Sequence, residues 1–132
     1  MKSEYQLLID SAIRARGAAY APYSEFQVGA ALLCESGEII TGCNVENLSF
    51  GLTICAERNA IFSAVARGHQ AFTAIAIAAD TEKPISPCGA CRQVMCEFGD
   101  FPILLANLQG EIVRSSVNEL LPRGQTGILH RD

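Results

Sequence analysis

Ala74-Ile75-Ala76-Ile77-Ala78-Ala79 runs for six residues without a polar side chain. A short, wholly apolar run suits a central strand covered on both faces, because a strand with one wet face alternates apolar and polar residues. Helical punctuation lies on either side of it. Upstream, Thr53 is placed to cap a helix over residues 55–67. Ala60, Ile61, Ala64 and Val65 form its buried face, and Gly68 ends it. Downstream, Ser86-Pro87 reads as cap and first helical residue of a helix reaching about residue 98, stopped at Gly99.

Further out, residues 28–33 read as a buried strand, Ser36-Gly37 as a hairpin turn and residues 38–43 as the returning strand. Gly29, Ala30 and Ala31 imply close packing on the first of these. Residues 102–106 and 111–114 are the last strands, and residues 117–121 a short helical turn before Pro122. At the N-terminus, Ser3 with Gln6 reads as a capping box. Tyr5, Leu8, Ile9, Ala12 and Ile13 recur at helical spacing over residues 4–18. Ala21-Pro22-Tyr23-Ser24 ends that helix, and residues 44–52 read as a loop. The order α-β-β-α-β-α-β-β predicts an α/β fold, a three-layer α-β-α sandwich with one mixed five-stranded sheet. No repeat or linker divides the chain, so residues 1–132 are expected to form a single domain.

With 49% hydrophobic and 18% charged residues, a packed core is expected and disorder is not. Ten basic residues stand against fourteen acidic ones, which argues against a nucleic-acid groove. No apolar run approaches the roughly 18 residues of a membrane span, and the first residues do not have a signal-peptide layout. Six cysteines in 132 residues can indicate a secreted disulfide scaffold. A chain with this much core does not need staples, and three of the six fall into a ligand pattern. A reducing cytoplasm is therefore the expected location.

That pattern is Cys55-Ala56-Glu57 with Pro87-Cys88-Gly89-Ala90-Cys91. It offers three thiolates to one metal ion and a carboxylate not needed as a ligand. Zinc held by three protein ligands keeps a fourth position for water, which separates a catalytic site from a closed structural one. Cys88 and Cys91 share one face of a helix at its first turn, and Cys55 starts another helix. Two helix N-termini then converge on the ion, and their partial positive charge favours thiolates. One Zn²⁺ and three thiolates sum to −1, and Arg58 is placed to donate to the sulfurs and offset that charge. Cys55 and Glu57 can both reach the ion only if Cys55 sits where the chain is still turning into its helix. The other readings are a redox Cys-x-x-Cys pair, or a structural zinc site with a fourth ligand from Cys34, Cys43, Cys96, His69 or His130.

Asn44-Val45-Glu46-Asn47, Cys55-Ala56-Glu57-Arg58 and Pro87-Cys88-Gly89-Ala90-Cys91-Arg92-Gln93 together resemble the small homotetrameric zinc-dependent cytidine deaminases. Ala21-Pro22-Tyr23-Ser24 and Phe26-Gln27-Val28-Gly29-Ala30-Ala31 fit the same family, so the resemblance spans residues 20–122. It implies hydrolytic deamination of cytidine and deoxycytidine to uridine and deoxyuridine, with one Zn²⁺ per subunit on Cys55, Cys88 and Cys91 and Glu57 as general acid/base. It further implies that Phe26 packs on the pyrimidine ring, that Asn44 and Glu46 bind the ribose hydroxyls, and that Phe50 reaches a neighbouring subunit's site. On residues alone, Phe26 reads equally as a core aromatic, and Asn44 and Glu46 as turn residues. An amide and a carboxylate just upstream of a metal ligand nevertheless suit recognition of a diol. The implied partners are a small pyrimidine nucleoside and three further copies of the chain, with no nucleic acid and no membrane. A blasticidin-type or modified-nucleoside deaminase is the alternative of like chemistry; a structural zinc-binding interaction module is the distant one. The chain departs from the family after Leu120-Leu121-Pro122. The aromatic usual about three residues on is missing, which leaves the pocket more open or closed by another residue.

Overall fold

A computed structural model describes residues 2–126 of the protein. Its elements are α1 (Glu4–Arg16), β1 (Val28–Cys34), β2 (Ile39–Cys43), a 3-10 turn (Phe50–Leu52), α2 (Ala56–Ala66), β3 (Phe72–Ala79), α3 (Gly89–Cys96), β4 (Pro102–Ala106), β5 (Ile112–Ser116) and α4 (Val117–Leu120). The strands form one mixed sheet in the order β2-β1-β3-β4-β5. Its pairs are antiparallel except β3 with β4, which run parallel and are joined through α3. The three-layer expectation and its five strands hold.

β3 sits at the centre and shows why the run at residues 74–79 is so apolar. Successive side chains of a strand point to opposite faces. Ile75, Ile77 and Ala79 enter one core with Ala60, Ile61 and Ala64 of α2 and Met95 of α3. Ala74, Ala76 and Ala78 enter the other, against Leu8, Ile9 and Ala12 of α1. Two glycines let helices approach the neighbouring strands. A Cβ on Gly29 would stand 2.0 Å from the carbonyl oxygen of Ala12 in α1. A Cβ on Gly42 would stand 2.4 Å from the amide nitrogen of Ala60 and 2.5 Å from the carbonyl oxygen of Ala56 in α2.

The helix starts differ from expectation in ways that matter for the site. Ser3 caps α1, accepting from the Gln6 amide at 3.1 Å. The Gln6 side chain instead bonds Asp10 at 3.0 Å, so only half of the capping box forms. Thr53 does not cap α2; its hydroxyl accepts from the Asn47 amide at 3.2 Å and steadies the preceding loop. Ser86 and Pro87 do not open α3. The N-cap of α2 is Cys55 (φ −70°, ψ 157°) and that of α3 is Cys88 (φ −68°, ψ 168°). The amide of Arg92 donates to the carbonyl of Cys88 at 3.0 Å, which puts the first turn of α3 after Pro87 rather than at it. Neither cap side chain bonds a helix N–H. Both sulfurs are turned to each other instead.

Candidate active site

α2 and α3 lie on the same face of the sheet, and their N-termini meet. Asn59 ties α2 to the end of β2, its Nδ2 donating to the carbonyl of Cys43 at 2.8 Å. Arg92 ties the entry of α3 to α4, donating from Nε to the carbonyl of Pro87 at 2.8 Å and from Nη1 to that of Leu120 at 2.9 Å. Between these anchors the Sγ atoms of Cys55 and Cys88 are 3.8 Å apart and those of Cys88 and Cys91 3.5 Å apart. All three lie within 4.8 Å of one another. Tetrahedral zinc with bonds of about 2.3 Å places neighbouring sulfurs about 3.8 Å apart, so the triangle has the right size. Among the described residues the group is Cys55, Cys88 and Cys91 alone, with no fourth His, Cys, Asp or Glu. Cys91 is buried, Cys55 half-buried and Cys88 exposed, so the cluster opens on the Cys88 side.

Four of the other candidate fourth ligands lie elsewhere. Cys34 and Cys96 belong to the core shared by α2 and α3, and burial pushes both thiols up. Cys43 ends β2 half-buried and is likewise raised by burial. His69 pairs with Glu38 at 3.4 Å. His130 lies outside the described residues.

The electrostatics of the cluster favour a thiolate at Cys55. A hydrogen bond from the Cys91 thiol brings Cys55 down to about 5, helped by bonds from Arg58 and Cys88. The same bond to Cys55, with burial, pushes Cys91 up. Arg58 donates from Nη2 to the Cys55 sulfur at 3.4 Å, which raises its own pKa in turn. Its Nε is buried with no partner among the described residues. Glu57 is 5% exposed in the first turn of α2. Burial above all pushes its carboxyl up, and a hydrogen bond with Cys91 opposes this. Cys55 stands where the chain is still turning into the helix, which lets both it and Glu57 face the cluster.

The remaining predicted residues form a second group. Asn44 is 8% exposed and brackets Phe26: its Nδ2 donates to the Phe26 carbonyl at 2.8 Å and its Oδ1 accepts from the Val28 amide at 2.8 Å. Glu46 accepts from the amides of Tyr23 at 2.9 Å and Ser24 at 3.1 Å, and from the Ser24 hydroxyl. These bonds, the Ser24 hydroxyl foremost, hold its carboxyl below the usual carboxylate range. A pocket of about 360 Å³ is lined by Tyr23, Ser24, Glu46, Asn47, Phe50 and Thr53. The Phe50 ring stands edge-on to Tyr23 at 6.4 Å. Phe26 is exposed, as is Phe50, but Phe26 is not among the residues lining this pocket. The sulfurs and Glu57 are not among the residues lining this pocket. Asn59, Arg92 and Ser24 were not singled out from sequence. Arg92 directly follows a predicted ligand and Ser24 stands two residues before Phe26, which are the only local hints.

Comparison with known proteins agrees with this geometry. The family model of the cytidine and deoxycytidylate deaminase zinc-binding region matches residues 2–106. A cytidine deaminase of Halalkalibacterium halodurans is 56% identical over 119 residues, covering 89% of this chain and 90% of that protein. A cytidine deaminase of Sporosarcina psychrophila is 53% identical over 121 residues, covering 90% and 89%. The crystal structure of a cytidine deaminase from Burkholderia pseudomallei superposes with a TM-score of 0.88 at 51% identity, covering 92% of this chain and 98% of that one.

Proposed function

The chain belongs to the cytidine and deoxycytidylate deaminase zinc-binding family, and from that premise we propose that it hydrolyses cytidine and deoxycytidine to uridine and deoxyuridine with release of ammonia. The observation that carries this reading is the sulfur triangle at two helix N-termini with the buried carboxylate of Glu57 against it.

In this reading Cys55, Cys88 and Cys91 hold the zinc ion. When bound there, zinc supplies a Lewis acid with one coordination position open to water, whose pKa it brings towards 7. Glu57 moves the protons. It takes one proton from the water that adds to C4 and delivers it to ring N3, then takes the second from the new C4 hydroxyl and delivers it to the exocyclic amine, so that the C4–N bond breaks, C4=O forms and ammonia leaves. A carboxyl withheld from solvent suits a group that must both accept and return a proton. Arg58 steadies the Cys55 sulfur. Phe26 packs on the pyrimidine ring. Asn44 and Glu46 meet the ribose hydroxyls with the acceptor capacity and the amide hydrogen their internal bonds leave over.

Residues 1–132 act as one domain, a reading supported by a single sheet with helices on both faces. Leu48, Phe50 and Leu52 beside the pocket, and Phe62 and Val65 on α2, are exposed in one chain. They support burial between copies, as in the homotetramer the resemblance implies, with Phe50 reaching a neighbouring site. Six free cysteines support a reducing, cytoplasmic setting. No helix among the described residues is long and apolar enough to cross a membrane.

The test is Glu57→Gln. The variant keeps its zinc and loses cytidine turnover by about 10²–10⁴-fold, the usual contribution of a positioned acid–base group. Turnover near the unsubstituted level, with zinc content measured alongside, would refute the role.

A further inference from the structure

The segment between α1 and β1 carries Phe26, and its conformation is unusual. Glu25 has φ 59°, in the left-handed region. A non-glycine residue holds that conformation where surrounding bonds over-determine it. The bonds are visible on both sides. The amide of Phe26 donates to the hydroxyl oxygen of Ser24 at 3.0 Å, spanning Glu25. The carbonyl of Phe26 accepts from Asn44 at 2.8 Å. The Ser24 hydroxyl gives its one hydrogen to Glu46, whose carboxylate also accepts from the Tyr23 and Ser24 amides. One serine oxygen therefore stands between the carboxylate that lines the pocket and the backbone that carries the aromatic ring.

We infer that Ser24 is a positioning residue of the nucleoside site: its hydroxyl ties Glu46 to the backbone of Phe26 and so fixes the angle at which the Phe26 ring meets the base. This rests on the proposed roles of Phe26 and Glu46. Without the hydroxyl, the Phe26 amide loses its acceptor and Glu46 loses its only side-chain donor here. Glu25 keeps the bond of its own amide to the Ala21 carbonyl at 2.9 Å and Phe26 keeps its carbonyl bond to Asn44, but the one bond that spans Glu25 is gone, and a change in its φ re-aims Phe26. The sulfur cluster and Glu57 are attached to α2 and α3, apart from this loop. The loss falls on substrate binding more than on the chemical step.

The test is a double-mutant cycle with Ser24→Ala and Phe26→Ala, read by cytidine kinetics and by hydrogen exchange at the Phe26 amide. Ser24→Ala alone raises KM about threefold to tenfold, the size expected for one lost hydrogen bond, with a smaller change in kcat. In the Phe26→Ala background the same substitution changes KM by less than about twofold, because the ring it positions is gone. The Phe26 amide exchanges faster in the ligand-free Ser24→Ala protein. An equal KM effect in both backgrounds overturns the inference, as does unchanged exchange at Phe26. Failure of the unsubstituted protein to turn over cytidine would instead sink the proposed activity, and the exchange measurement still reads the positioning role by itself.

Discussion

Cys88 occupies the open corner of the sulfur triangle, 3.8 Å from Cys55 and 3.5 Å from Cys91. It is also a helix cap that bonds no helix amide, so its side chain has no structural task besides the cluster. Cys88→Ala should therefore lower zinc affinity by more than the about 10–100-fold typical for loss of an outer hydrogen-bonding partner, while the fold survives. Metal titration with circular dichroism checks both halves. At this scale the chemistry was largely readable from the chain. Cys55, Cys88 and Cys91 announce their convergence in their spacing, and the fold brings their sulfurs together. Asn59, Arg92 and Ser24 do not, because each acts on groups brought to it by the fold: the carbonyls of Cys43, Pro87 and Leu120, and the amide of Phe26. Asn44 is a mixed case. Its role towards ribose is what the family resemblance implies, but its bonds to the backbone of Phe26 and Val28 could not be foreseen.

At the scale of elements, the site depends on where α2 lies along the sheet. Gly42 sets that distance, since any Cβ there would enter the α2 backbone at Ala56 and Ala60. Gly29 sets the distance of α1 in the same way, and α1 carries none of the proposed site residues. Both Gly→Ala changes overpack, at a cost of about 1–3 kcal/mol. Only Gly42→Ala displaces Cys55 and Glu57 relative to α3. A misplacement of about 1 Å can cost about 10²-fold in rate, so Gly42→Ala should lower kcat by about that factor. Gly29→Ala should lower Tm while leaving the kcat of the folded protein within about twofold. Thermal melts paired with active-site-normalised kinetics separate the two. The small residues at 29–31 foretold close packing. Ser3 read correctly as the cap of α1, but the caps of α2 and α3 did not, because Thr53 and Ser86-Pro87 carry stronger capping signals than a cysteine does. At Cys55 and Cys88 the sulfurs face each other instead of bonding a helix N–H.

For the whole molecule, two helices that meet end to end lack side-chain caps and converge three thiols on one point. A ligand that binds only the folded chain stabilises it by mass action, by about 4 kcal/mol at a thousandfold excess over Kd. Chelation should thus lower Tm by about 10 °C or more and restoring zinc should reverse it, as followed by scanning calorimetry. An unchanged Tm on verified metal removal would mean that the helix ends hold without the ion. The layer order was legible because the run at residues 74–79 admits one environment, the middle of a covered sheet. How its two faces differ was not, since alternation of Ala and Ile has no direction until a helix is assigned to each side.

That alternation gives the sheet two floors of unequal height. On the α1 side, Ala74, Ala76 and Ala78 offer only methyl groups, and Leu8, Ile9 and Ala12 are buried against them. A bulkier residue at any of the three alanines must be matched by a smaller one on α1, because close-packed interiors have no slack to absorb it. Descendants of this sequence can drift at these positions only in compensating pairs, whereas the isoleucine side can trade volume among many more neighbours.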